Sequence, residues 1–119
     1  MMVENSIPYF QLRVLAEYDS KHEFFVAFCL NTGSVVTADD MDTVVEMIQE
    51  LLEDEVAHAF KFSNYGNLFS SPAPPEIWNR WLKVAKEQGT ERMELRVKAE
   101  KVSLDDTETR SEVSLARTA

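Results

Sequence analysis

Apolar residues recur at alternate positions along Phe10–Tyr18: Phe10, Leu12, Val14, Ala16 and Tyr18 fall on one face, and Gln11, Arg13 and Glu17 on the other. A period of two predicts a half-buried strand. Asp19-Ser20-Lys21-His22 is a polar hairpin connection. The next strand, Glu23–Leu30, is apolar on both sides: Phe24, Val26, Phe28 and Leu30 share one face, while Phe25, Ala27 and Cys29 line the other. Such a strand lies inside a sheet or is covered on both faces. Asn31-Thr32-Gly33 reads as a turn into a short third strand, Ser34–Thr37, so the first third of the chain predicts an antiparallel meander.

The period then changes. Met41, Val44, Val45, Ile48, Leu51, Leu52, Val56 and Ala59 keep the spacing of an amphipathic helix. Asp39 or Asp40 serves as its N-cap, and Asp42 suits the positive end of the helix dipole. At 3.6 residues per turn Glu46, Glu50, Glu53 and Asp54 fall on the opposite, outward face. Glu55 falls on the apolar stripe, either at its edge and reaching water, or buried against a base such as Arg96. Ser63–Pro75 is a turn-rich, proline-stiffened connector. Pro75 suits the first turn of a second helix, Glu76–Gln88, closed by Gly89, with Trp78, Trp81, Leu82 and Ala85 as its apolar stripe. Arg92–Leu104 alternates again and predicts a last strand. Residues 105–119 are polar, with only Val113 and Leu115 as apolar anchors, and are expected to form a disordered tail after a single domain of residues 1–104. The predicted class is α+β, in the order β-β-β-α-(α)-β: a small antiparallel sheet of three to four strands with helices packed on one face.

Charge sharpens this picture. The 119 residues carry a formal net charge of −9. Residues 22–60 hold nine carboxylates and no Lys or Arg, whereas residues 80–101 hold seven bases against four acids. A negative chain repels phosphate and speeds encounter with basic partners, so direct DNA binding is not expected. No basic start or long apolar run marks a signal or a membrane span, and a cytoplasmic protein is expected. The lone Cys29 excludes an internal disulfide and reads as a small buried hydrophobe.

Candidate chemistry is sparse. Asp54 and His58 stand at i and i+4, a metal-ligand spacing, but no His or Cys motif supplies a third ligand. His58 reads instead as a cation near a helix C-terminus. A metal-dependent nuclease would have to assemble Asp19, Asp39 and Glu55 around one pocket. Trp78 and Trp81 beside Arg80 and Lys83 suggest base stacking, but sharing a stripe with Leu82 and Ala85 favours packing. With three glycines a phosphate-cradling loop is not expected, and neither catalytic residues, a metal nor a cofactor is assigned.

The run Tyr18-Asp19, Glu23-Phe24-Phe25-Val26-Ala27-Phe28-Cys29, Gly33-Ser34-Val35-Val36-Thr37-Ala38-Asp39-Asp40 and then Val44, Ile48, Leu51 and Leu52 resembles the N-terminal domain of HicB-family antitoxins and their stand-alone relatives. The resemblance covers residues 9–62 well and 90–104 loosely. It implies a truncated RNase H-like β-β-β-α-β unit with a proline-rich connector before the last strand, and a small basic, HicA-like toxin as partner. The family's usual Pro-Asp-Leu-Pro-Gly turn is replaced here by Leu30-Asn31-Thr32-Gly33, a helix with two Trp precedes the last strand, and the DNA-binding domain usual in complete antitoxins is not seen. The fold alone implies no ribonuclease chemistry. The expected function is a non-catalytic antitoxin-like module that sequesters a basic toxin, with Glu46, Glu50, Glu53 and Asp54 as its partner-binding residues. The alternative is a homo-oligomeric structural protein of the same fold with no toxin partner. A homo-oligomer is expected in either case, because a strand apolar on both faces and a Trp-bearing helix offer more apolar surface than one small sheet hides.

Overall fold

The computed structural model describes residues 11–62, 65–97 and 109–118. The element order is β1 (Gln11–Asp19), β2 (Phe24–Cys29), β3 (Val35–Ala38), α1 (Met41–Phe62), α2 (Tyr65–Leu68), α3 (Pro75–Gln88), β4 (Glu91–Val97) and β5 (Thr109–Arg117). The five strands form one mixed sheet in the order β3-β2-β1-β5-β4. The β1-β2-β3 meander is antiparallel as the pattern predicts.

Its turns are set by local chemistry. Asp19 accepts the backbone N–H groups of Lys21 and His22 and the His22 ring nitrogen, while Glu23 takes a left-handed φ of 59° to close the hairpin. At the second turn Gly33 adopts φ 80° and donates its N–H to Cys29 O. A Cβ built there would stand 2.0 Å from Ser71 O, so glycine is required both by backbone conformation and by close approach of the connector.

Three expectations are corrected. The first concerns the supposed tail. Residues 109–117 form β5, which runs parallel to β1 and antiparallel to β4. Ser111, Val113 and Leu115 alternate into the core beneath α1, and Ala116 is buried on the opposite face. Two large apolar residues suffice because the strand has a hydrogen-bonded neighbour on each side and its other buried positions are small. The last predicted strand ends at Val97, and residues 98–104 lie outside those described.

The second correction concerns layering. Helices cover both faces of the sheet. On one face α1 packs Val44, Ile48, Leu52 and Val56 against Leu12, Val14, Ala16, Ala27, Cys29, Val113 and Leu115. On the other, α3 packs Ile77 and Trp81 against Leu15, Leu30 and Ala116. This explains the both-sided apolarity of β2 within a single chain, without recourse to a second copy. β1, central in the sheet, is buried on both sides through Val14 and Leu15.

The third correction is the stripe of α3. Pro75 is its first residue and Gly89, with φ 79°, donates its N–H to Ala85 O at the C-terminus, as predicted. The buried side is Ile77 and Trp81, with Trp78, Val84 and Ala85 packed beside them. Leu82 points outward and is 58% exposed. No helix among the described residues is long and apolar enough to cross a membrane.

Candidate functional site

The acidic helix is built as the sequence directs. Asp40 caps α1, accepting the backbone N–H of Thr43 at 2.8 Å and its hydroxyl at 2.9 Å. These bonds hold the Asp40 carboxyl below the ordinary carboxylate pKa. At about 100° per residue the outward positions of α1 fall into two neighbouring rows. Two contacts fix which way each row faces. Gln49 donates its side-chain N–H to Glu94 O, 3.0 Å away, so the row of Glu46, Gln49 and Glu53 leans toward β4. Thr43 and Met47 line a groove with Thr37, Ala38, Asp39 and Phe24, so the row of Thr43, Met47, Glu50 and Asp54 leans toward β3. Glu46, Glu50 and Asp54 are exposed and Glu53 is half-buried. The four candidate residues therefore straddle the crest of one helix as two flanks.

Glu55 is half-buried, with both carboxylate oxygens accepting the Ser34 hydroxyl at 2.8 and 2.9 Å. Ser34 in turn meets the Thr32 hydroxyl at 2.9 Å. Glu55 thus ties α1 to the turn before β3, a role neither sequence alternative foresaw. The side chain of Arg96 lies outside those described.

The carboxylates weighed for metal chemistry do not converge. Asp19 is engaged in the β1–β2 turn, where the hydrogen bond from His22 lowers its pKa. Asp39 stands before the first turn of α1, whereas Glu55 stands fourteen residues into it, about 21 Å along the axis. His58 is exposed and rests against Phe62, ring centroids 4.6 Å apart. No cluster of three metal-ligating residues occurs among the described residues.

The tryptophans are occupied by the fold. Trp78 Nε1 donates to Ala73 O at 3.0 Å and Trp81 Nε1 to Ser114 O at 3.3 Å. The Arg13 guanidinium lies 5.8 and 5.4 Å from their ring centroids. Bases elsewhere are also held internally: Arg80 pairs with Glu17 at 3.2 Å, Arg92 with Glu112, and Arg117 with Glu91 at 2.6 Å. The first two of these pairs take up part of the basic charge of residues 80–101. A second hollow, between Tyr18, Phe25, Met41 and Arg117, is lined by this paired arginine and by Asp42. Cys29 is buried, and desolvation pushes its thiol pKa up, so it is no nucleophile in the folded chain.

Sequence reasoning missed Met47. It stands off the apolar stripe, and that misplacement was the available signal. It is 40% exposed beside the edge strand β3. Comparison with protein families, with curated proteins and with solved structures finds no match.

Proposed function

We propose that this domain is a non-catalytic binding module of antitoxin type that sequesters a small basic protein by covering its basic surface. The single observation that carries the reading is the one-signed charge of a contiguous part of the fold. From His22 to Phe60, through β2, β3 and nearly all of α1, there are nine carboxylates and no Lys or Arg. Those on the crest of α1 point outward and give a partner an attractive field of one sign. The HicB resemblance of residues 9–62 points the same way, although the chain as a whole adds α2, α3 and a fifth strand, β5, to the unit that the resemblance implies. Under this reading the partner is a HicA-like toxin, and binding acts by occlusion.

The test is affinity capture from the native host, followed by purification of what is captured. The expected partner is a small basic protein whose RNA-cleaving activity falls stoichiometrically as the chain is added. Recovery of the chain alone, self-associated at micromolar concentration, would overturn the reading and favour the homo-oligomeric structural protein.

A further inference from the structure

β3 is an edge of the sheet, and no described strand pairs with its outer side. Its hydrogen-bonding phase follows from one bond. Cys29 N–H donates to Ser34 O at 2.8 Å, and the same register pairs Ala27 with Val36 and Phe25 with Ala38. In an antiparallel ladder the bonding direction alternates, so Ser34, Val36 and Ala38 turn toward β2. Val35 and Thr37 turn their N–H and C=O groups outward. A row of such groups is a template for another strand.

The two sides of this edge differ in chemistry. Val36 and Ala38 pack toward α1, so a strand laid along β3 would have one face under the flank of Met47, Glu50 and Asp54. Its other face would meet Val35, 51% exposed. The spacings agree. Glu50 and Asp54 are four helical residues apart, about 6 Å along the axis. Residues i and i+2 of a strand are about 6.6 Å apart. A second copy of this chain is a poor occupant, because pairing two β3 edges would bring two α1 helices side by side, each rich in carboxylates and without a Lys or Arg before Lys61 in its last turn.

We propose that the outer edge of β3 accepts a strand from the basic partner, in which alternate residues are Lys or Arg and those between are apolar. The basic residues reach Glu50 and Asp54 across Met47, the apolar ones cover Val35, and the backbone bonds to Val35 and Thr37. Main-chain bonds then supply affinity while alternate side chains supply selectivity. This inference rests on the acidic-module reading and adds the mode of docking to it.

The test uses the full chain and an acetylated, amidated octapeptide of alternating Lys and Val. Binding is followed by fluorescence anisotropy, and amide hydrogen exchange is read residue by residue. The expected result is saturable binding with slowed exchange at Val35 and Thr37. Thr37→Pro removes an outward N–H on an edge strand, where proline is tolerated. It should weaken the peptide at least tenfold while leaving the melting curve cooperative. Should Thr37→Pro fail to fold, the same peptide N-methylated at alternate residues, presented to the unaltered chain, should lose affinity equally. Binding with unchanged exchange at Val35 and Thr37 overturns the edge docking and leaves the acidic-face reading standing. No binding at millimolar peptide, or slowed exchange that appears with protein concentration alone, overturns it as well. The fate of the acidic-module reading is decided separately by the captured partner.

Discussion

Leu115 is the residue at which the account of the C-terminal segment is most exposed to test. It is 1% exposed in the core beneath α1, beside Val113. Its strand lies between β1 and β4, pairing Val14 with Leu115 on one side and Glu91 with Leu115 on the other. Leu115→Ala removes a buried isobutyl group's packing and leaves a cavity, a change that costs about 2–5 kcal/mol. Unfolding entropy of about 2.1 cal/mol/K per residue gives about 0.25 kcal/mol/K for this chain, so a loss of ~3 kcal/mol lowers Tm by about 12 °C. Val35→Ala, at a half-exposed edge position, should stay within about 0.5 kcal/mol. Thermal melts by circular dichroism and urea midpoints measure both. A chain ending at residue 108 should show no cooperative melt, because β1 would lose one of its two neighbours and β4 its only described one. If Leu115→Ala melts within about 2 °C of the parent, β5 is not a core strand and the reasoning fails.

Gly33→Ala should destabilise by about 2 kcal/mol or more, since φ is 80° and the added Cβ meets Ser71 O; Gly66→Ala, with open space around it, should be neutral or slightly stabilising in the same urea titration. The Asp19 carboxyl is held below its ordinary pKa of 3.8 by His22, so its contribution is present above that value and lost as pH falls through the lower, folded value. A Tm gap between the parent and Asp19→Asn should therefore be present above about pH 5, and close as pH falls below 3.8. Cys29, buried with its thiol pKa raised, should react with an aromatic disulfide reagent only at the rate of opening, and at once in denaturant.

Much of the fold is legible in the chain because its signals are local. The alternation of Leu12, Val14 and Ala16, the turn at Gly33, the stripe from Val44 to Val56, and the Pro75 and Gly89 boundaries each act over a few residues. β5 is not legible in that way. Its partner, β1, is about a hundred residues distant, and its buried positions include Ser111 and Ala116, which read as unremarkable in a polar segment. The second layer was missed for a related reason: Leu82 lies close to the face of Trp78 and Trp81, and only the packing of Ile77 against Leu30 and Ala116 decides which side of α3 is inward. The acidic positions of α1 were readable from helical period alone. Their division into a β3 flank and a β4 flank was not, because it depends on the tertiary contacts of Gln49 and Met47.

The central claim is that the outward carboxylates of α1 draw in a basic partner. The most direct measurement is the association rate of the captured partner with the chain in which Glu46, Glu50 and Glu53 are replaced by Gln and Asp54 by Asn, taken across a series of salt concentrations. Glu46, Glu50 and Asp54 are exposed and Glu53 half-buried, so the fold should hold, with a cooperative thermal melt of the variant as the control. The account predicts association slowed about tenfold or more at low salt, with a shallower dependence on ionic strength. An unchanged rate with an unchanged salt slope would contradict it, and would reduce the acidic face to a determinant of solubility.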